Sequence, residues 1–270
     1  MINIISILKK FPLARYAYAR ICWWRDKKEG KKVFKNDDVY LKALTQKGEG
    51  TVVLRTHDNL NIKIRRNISD ARIIREIFFH KPYIQHFTLS PNPIIIDIGG
   101  YIGDFSLYAV KYLNARHVIV YEPTAENFKI LKQNIEENNY LDRITAVNKG
   151  VSDSDEVILN VQINKSEEVH VSSYWYKEAE QRRVPSITLS ELFEKHQLDS
   201  VDLLKIDCEG GEYDILSGVP EHLLKRIKNI AFEYHRVDGF KTKLNYILTC
   251  LKSTGYKVRK DGDIISAYRE

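Results

Sequence analysis

The feature that most limits the fold of this chain is a regular alternation of apolar runs and amphipathic segments from Ile94 onward. Five of the runs are typical of strands, and they are apolar almost throughout rather than at every second position. Such strands are expected in a parallel sheet that helices cover on both faces. The sequence therefore predicts a doubly wound, mostly parallel α/β sheet with strands at 94–99, 117–123, 144–150, 202–207 and 229–235. Two further runs, EVILNVQI (156–163) and DGDIISAY (261–268), are predicted to be added or edge strands.

An extension precedes this alternation. Residues 1–45 are charged and helical in pattern, without a strand signal. The run TVVLRTHDNLNIKIRR is two alternating segments about a turn, which predicts a β-hairpin, and SDARIIREIFFH predicts a helix. We therefore expect an N-terminal helical arm at 1–45, a hairpin and helix lead-in at 46–93, and the main domain at 94–270.

Composition excludes several classes. The three cysteines of the 270 residues are far apart and form no C-x-x-C pair, so neither a disulfide framework nor a cysteine zinc site is expected. A reducing compartment, the cytoplasm, fits this usage. No apolar run approaches the roughly 18 residues that a spanning helix needs. The net charge of +6 eases the approach of anionic partners.

Parallel sheets bind ligands at the carboxyl ends of their strands. The first strand leaves through DIGGYIGDFS, which carries Asp97, Gly99, Gly100 and Gly103. Glycines there let the backbone turn sharply and let a ligand approach closely. The nicotinamide fingerprint G-x-G-x-x-G would need a glycine at Ile98, which opposes a dehydrogenase.

The second strand ends in Glu122 and Pro123, 25 residues beyond Asp97. An acid at this place suits a ribose diol, although it could also serve as the anion at the start of the next helix. Strand, glycine turn, helix, strand and acid in this order together indicate a nucleoside ligand.

Several segments at these spacings resemble the FkbM family of S-adenosylmethionine-dependent methyltransferases. They include IIIDIGGYIGDFSLYA, VIVYEP, NKGVSD, VDLLKIDCEGGEYDILSG and IAFEYH. The resemblance is dense from about Ile94 to His235 and weaker over the hairpin and helix before it. It implies a class I methyltransferase (Rossmann-like) fold, with S-adenosylmethionine as the cofactor of the 94–270 domain.

Carried over by position, the resemblance implies contacts of the first turn with the methionine end, of Glu122 with the ribose and of Asp153 with the adenine. The implied cofactor-binding residues are Asp97, Gly99, Gly100, Gly103, Glu122, Pro123, Asp153 and Asp207. The family usually reads D-x-G-A-N-x-G, whereas this chain has Gly100 and Tyr101 at the alanine and asparagine. This departure supports an alternative, a non-catalytic binding module of the same fold, which cofactor titration would distinguish from an enzyme.

Methyl transfer to a hydroxyl needs a proton acceptor, and carboxylates or histidine can supply it. The candidate catalytic residues end the fourth and fifth predicted strands: Asp207, Glu209, Glu233 and His235. His235 could also be a surface histidine with satisfied hydrogen bonds, and Glu212 and Asp214 could simply complement a helix dipole. No D-x-D type cluster is present, so no metal site is predicted.

The leading functional hypothesis is O-methylation of a hydroxyl on a saccharide or another small-molecule secondary metabolite. An RNA methyltransferase would suit the basic charge, but neither an N/D-P-P-Y tetrapeptide nor an appended RNA-binding motif is present, so a nucleic acid partner is not expected. The basic, aromatic N-terminal arm could lie on an anionic membrane surface, or pack on its own domain or on the second subunit of a homodimer. The segment SSYWYKEAEQRR (172–183) could be a substrate lid or a surface loop.

Overall fold

A computed structural model describes residues 12–66, 68–163, 169–172 and 180–269 of the chain. It contains two compact units, the first ending at Phe79 and the second beginning at His80. Among the described residues, no helix is both long and apolar enough to cross a bilayer. The N-terminal residues 1–11 and residues 173–179, from the segment interpreted as a lid or a surface loop, lie outside the described residues.

The first unit pairs helices with a hairpin. Its elements are α1 (Pro12–Val33), α2 (Asp37–Thr45), β1 (Thr51–Arg55), β2 (Asn61–Arg65), α3 (Ile68–Arg75) and a π-helical turn (Glu76–His80). The two strands are antiparallel with Val53 opposite Lys63, so the predicted hairpin is confirmed. The rings of Phe34 and Tyr40 pack with centroids 5.0 Å apart in its buried core.

The second unit opens with a short 3-10 helix, Pro82–Ile84, and then alternates strands and helices. Its strands are β3 (Ile94–Ile98), β4 (His117–Tyr121), β5 (Ile144–Val147), β6 (Gly150–Val151), β7 (Glu156–Ile163), β8 (Val169–Ser172), β9 (Glu180–Ile187), β10 (Val201–Ile206), β11 (Ile227–Glu233), β12 (Lys257–Asp261) and β13 (Ile264–Tyr268). Its helices are α4 (Asp104–Tyr112), α5 (Ala125–Glu137), α6 (Leu189–Lys195), α7 (Glu212–Ser217), α8 (Glu221–Leu224) and α9 (Phe240–Ser253).

Seven of these strands form the main sheet, in the order β12-β13-β11-β10-β3-β4-β5. All neighbours from β11 to β5 are parallel, and β13 runs antiparallel to both of its neighbours. The predicted doubly wound, mostly parallel sheet is therefore confirmed. Strand order reverses between β3 and β10, and such switch points open the crevice in which this class of fold binds ligands.

Three of the predicted strands differ in detail from the structure. The run at 144–150 breaks into β5 and β6, because the Asn148 amide turns back to donate to the carbonyls of Glu122 and Pro123 at 2.8 and 3.1 Å. The run at 156–163 leaves the main sheet and, as β7, joins a separate sheet of order β6-β9-β7-β8. Of the run at 261–268, Ile264–Tyr268 form β13, which is added to the sheet between β11 and β12, while Asp261 ends β12.

Candidate functional site

The turn after β3 brings two strand ends together at the switch point. Gly99 has φ +79°, and a Cβ there would lie 1.8 Å from the carbonyl oxygen of Asp207. The backbone N–H groups of Gly99 and Gly100 both donate to the carbonyl of Tyr121 at 3.0 Å. Only a residue without a side chain can occupy this position, so the glycine is required by both the turn and the close approach of β10.

A buried ion pair stabilises the turn. The Lys205 ammonium lies 2.9 Å from Asp97 Oδ1 and donates to the Gly99 carbonyl at 2.8 Å. Ser106 donates to the other oxygen of Asp97 at 2.7 Å. Because both charges are almost fully buried, removing either would leave its partner uncompensated, at a cost of about 3–5 kcal/mol. Asp97 therefore stabilises the turn, and its contact with a ligand stays a prediction.

Gly100 departs from the family pattern for a reason visible in the packing. A Cβ on Gly100 would lie 2.0 Å from Cγ2 of Val120 and 3.1 Å from Cδ1 of Leu131. The γ-methyl of Val120 fills the space that an alanine side chain would need. The departure at Gly100 is therefore paired with the valine on β4 and leaves the turn intact.

Replacing Gly100 with alanine should destabilise the protein by about 1–3 kcal/mol, because it overpacks a buried site. Adding Val120→Ala should recover much of this loss, since it removes the clashing methyl groups. Chemical denaturation of the two single variants and the double variant measures the coupling. Strictly additive free energies of unfolding would contradict the proposed pairing of the two positions.

Glu122 is buried at the end of β4 and faces the same turn. Its Oε2 accepts from the Tyr101 N–H at 2.9 Å, and its Oε1 accepts from the Thr124 N–H at 2.8 Å. Tyr101 meets this contact through its backbone, with φ +47°, so the missing asparagine does not remove it. Burial raises the pKa of Glu122 to about 7, although these hydrogen bonds oppose the shift.

A second buried carboxyl, Asp104, was not predicted from the sequence. It begins α4 and is 5% exposed. Burial raises its pKa to about 8, the Lys205 charge opposes this rise, and the nearby charges of Asp97 and Asp207 add to it. The crevice at the switch point thus holds a carboxyl that is largely protonated near neutral pH.

The predicted catalytic residues come together at the ends of β10 and β11. Side-chain donor atoms of Asp207, Glu233 and His235 all lie within 4.8 Å of one another. Oε2 of Glu209 is 3.3 Å from Nε2 of His235. The three close donor atoms could share one divalent ion, so the expectation of no metal site stays a prediction.

Glu212 fixes the orientation of His235. This carboxylate is fully buried and accepts from the backbone N–H of His235 at 2.7 Å and from that of Gly210 at 2.8 Å. Its Oε1 is also 3.3 Å from Nδ1 of His235, which leaves Nε2 on the other side of the ring, towards Glu209. Glu212 therefore does more than complement the dipole of α7.

The same carboxylate changes the protonation of the imidazole. Burial alone would lower the pKa of His235, but the hydrogen bond and charge of Glu212 outweigh it. The charges of Glu209 and Asp207 act in the same direction, and the pKa rises to about 9. His235 is thus mostly protonated at neutral pH.

Tyr83, from the short 3-10 helix, orients Asp207. Its hydroxyl donates to Asp207 Oδ2 at 2.8 Å, and its ring is almost fully buried, edge-on to Phe105 at 5.7 Å. The Lys205 ammonium lies 5.4 Å from the ring centroid, within the range of a cation–π interaction. No sequence pattern distinguishes this tyrosine from the many others, whereas Lys205 could have been noticed as a charge within an apolar strand.

The remaining predicted residues lie further from these contacts. Asp153 is exposed after β6 and accepts from the Ser152 hydroxyl at 3.3 Å, so its role at the adenine stays a prediction. Pro123 is half-buried. Asp214 lies in the first turn of α7, 3.9 Å from Lys243, and fits a helix-dipole role.

Comparison with known proteins identifies the family. The family profile described as "Methyltransferase FkbM domain" matches residues 97–258, more than half of the chain. The chain belongs to the FkbM methyltransferase family. The chain is therefore a methyltransferase, and its fold is that of the class I enzymes.

Similar proteins carry methyltransferase names. "Methyltransferase sdnD" of Sordaria araneosa is 24% identical over 233 residues, covering 76% of this chain and 88% of the relative. "31-O-demethyl-FK506 methyltransferase FkbM" of Streptomyces tacrolimicus is 25% identical over 235 residues, with the same coverages. A crystal structure of methyltransferase FkbM from Methylobacillus flagellatus KT is 15% identical, covers 90% of this chain and 58% of that chain, and has a TM-score of 0.46.

Proposed function

We propose that this FkbM-family enzyme transfers a methyl group from S-adenosylmethionine to a hydroxyl of a saccharide or another small metabolite. The proposal rests on one observation: two features of the site lie next to each other at adjacent strand ends. A glycine turn faced by the buried Glu122 lies at β3 and β4, and a histidine among carboxylates lies at β10 and β11. Asp207 links the two, because its backbone approaches Gly99 and its side chain faces the histidine.

The residues at the first feature fit the proposed cofactor. Oε1 of Glu122 accepts from the Thr124 N–H and, at 3.4 Å, from the Asn127 amide, whereas Oε2 accepts from the Tyr101 N–H. A carboxylate oxygen has two lone pairs, so Oε2 can also accept from a ribose hydroxyl. Gly99 and Gly100 leave their surface without side chains, which suits close approach of the amino-acid end.

When bound, S-adenosylmethionine supplies an electrophilic methyl group on a positively charged sulfur. The chain must then align the acceptor oxygen and remove its proton. Alignment of two bound groups can contribute about 7–11 kcal/mol to lowering the barrier. The carboxylates of Asp207 and Glu233, close to His235, provide hydrogen-bond acceptors for a hydroxyl donor.

His235 is the proposed base. Glu212 holds its Nδ1, and Nε2 is the atom that can take the acceptor proton. Only the neutral imidazole can do so, and its pKa lies near 9. We therefore expect methyl transfer to speed up as the pH rises from neutral and to level off above about 9, as the protonated fraction disappears.

Replacing Glu212 with glutamine should lower the midpoint of the His235 titration by about one pH unit or more, because a nearby opposite charge is removed. Proton NMR of the imidazole measures the midpoint without any acceptor. Asp214→Asn is the matched control, since Asp214 lies on the same helix but pairs with Lys243. An unchanged midpoint in a folded Glu212→Gln protein would contradict the assigned role of the carboxylate.

The choice of a hydroxyl acceptor has support from one relative. The Streptomyces tacrolimicus protein is named as a methyltransferase of an O-demethyl compound. In this chain, a histidine flanked by carboxylates suits a weakly acidic hydroxyl that must lose a proton, and this chemistry is typically worth about 10²–10⁴-fold in rate.

Labelled S-adenosylmethionine tests the proposal directly. The protein is incubated with pooled saccharides, small hydroxyl metabolites and RNA, and the labelled product is separated by class. Label in a saccharide or metabolite whose only methyl-accepting group is a hydroxyl supports O-methylation. Label only in RNA would replace the proposal with the nucleic acid alternative.

A further inference from the structure

The outward face of α1 combines cationic side chains with large apolar ones. Ile21 and Trp24 are 67% and 59% exposed. At 100° per residue, these two lie on one side of the helix together with Lys28 and Lys31. Between Arg20 and Val33 the chain has six basic and two acidic residues. Within residues 20–33, the exposed basic residues are Arg20, Arg25, Lys28, Lys31 and Lys32.

The opposite face of α1 is fixed within the first unit. Asp26 is buried and pairs with Arg75 of α3 at 3.1 Å. A Cβ on Gly30 would lie 2.9 Å from the ring of Tyr40, so the helix approaches α2 closely there. The helix is thus held by one side and presents its basic, apolar side to the surroundings. Of the two acidic residues, one is therefore buried, and the other, Glu29, is paired with Lys32 at 2.8 Å.

We propose that this face of α1 docks on an anionic phospholipid surface. Tryptophan prefers the boundary between headgroups and acyl chains, and an exposed isoleucine beside it gains by leaving water. Lysine and arginine around them are attracted to the negative charge of the leaflet. Lys27 lies 4.9 and 5.7 Å from the ring centroids of Trp23 and Trp24, which places a further cation beside the aromatic rings.

A membrane explains this face better than a nucleic acid does. Phosphates of RNA would engage the cations, and a base could stack on Trp24. Ile21 offers no planar face for stacking, yet it is the most exposed large apolar side chain described in residues 20–33 of the helix. An interface that accepts aliphatic, aromatic and cationic side chains together is a property of a bilayer surface.

Sedimentation of the full chain with vesicles tests the proposal. Phosphatidylcholine vesicles with and without phosphatidylglycerol are compared, and we expect about tenfold or more preference for the anionic vesicles. The double variant Ile21→Ser/Trp24→Ser should lose about tenfold of this binding at unchanged net charge. Lys28→Glu/Lys31→Glu should abolish it, while Lys132→Glu, an exposed lysine of α5, should not.

Three outcomes would overturn the proposal. The first is equal or no binding to both kinds of vesicle. The second is anionic binding that the Ile21/Trp24 variant leaves intact, which would mean charge attraction without insertion. The third is displacement of the protein from the vesicles by a short RNA that binds the protein more tightly than the vesicles do. Circular dichroism and binding of S-adenosylhomocysteine verify that each variant is folded, and neither depends on the membrane.

Discussion

Glu122→Gln is expected to weaken S-adenosylmethionine binding by at least about tenfold, the equivalent of about 1.4 kcal/mol. A hydrogen bond to a charged group is worth about 1.5–3 kcal/mol, and the carboxylate would accept one from a ribose hydroxyl. The substitution keeps the shape of the side chain, but its amide has a single acceptor oxygen, so only one of the Tyr101 and Thr124 N–H groups keeps its acceptor. Calorimetric titration with S-adenosylmethionine and S-adenosylhomocysteine gives the affinities.

The pH dependence of the wild-type affinity gives a second measure of the same group. Since burial raises the pKa of Glu122 to about 7, its charge is lost as the pH falls through that value. Binding should therefore weaken towards pH 5 and strengthen above neutral. Glu137→Gln, an exposed acid at the end of α5, is the matched control. If neither S-adenosylmethionine nor S-adenosylhomocysteine binds to well-folded wild-type protein, the proposed cofactor is wrong. If Glu122→Gln binds them with the wild-type affinity, only the proposed contact of Glu122 with the ribose is wrong.

His235→Asn should lower the rate of methyl transfer by about 10²–10⁴-fold, because the hydroxyl that receives the methyl group loses the base that takes its proton. Asparagine is smaller than histidine but keeps a polar group near the fully buried Glu212. Affinity for S-adenosylhomocysteine should stay close to that of wild type, since His235 follows β11 whereas the proposed glycine-turn and ribose contacts lie after β3 and β4. Single-turnover rates with the acceptor found in the labelled-methyl screen separate chemistry from binding.

The rise of the methyl-transfer rate at alkaline pH tests whether His235 is the base. In wild type the rate should follow the neutral form of His235, and in His235→Asn this dependence should disappear together with the rate. His222→Asn, at the helix α8, is a control for general effects of replacing a histidine. A variant that retains both the full rate and the alkaline limb would assign the base to another group.

The sheet could be predicted from the sequence because its strands are buried on both faces. Each of the five core runs is apolar over most of its length, and each contributes a strand to the main sheet. The runs did not predict which strands pair with each other outside these five. Residues 156–160 of β7 alternate on a half-exposed surface, and β7 pairs with β9 in a register that depends on contacts distant in sequence.

Site residues were predictable where a backbone turn or strand end demands a residue type. Gly99 and Glu122 belong to this group, because topology places the ends of parallel strands at one edge. Glu212 was ambiguous, since an acid in the first turn of a helix has an ordinary explanation, and only the 2.7 Å contact with the N–H of His235 distinguishes it. Tyr83 depends on a contact across 124 positions of sequence, which no local pattern encodes. The domain limits at residues 45 and 93 stay predictions.

The position of Tyr83 also bears on how such an enzyme can be cut or recombined. The matched family segment begins at residue 97, yet the phenol that holds Asp207 comes from 14 residues earlier. A chimera joined at the start of the family segment would therefore keep the glycine turn and the histidine but inherit a foreign neighbour for Asp207. Shuffling within the family should place the junction before residue 80, where the second compact unit begins, so that the phenol travels with the carboxylate it supports.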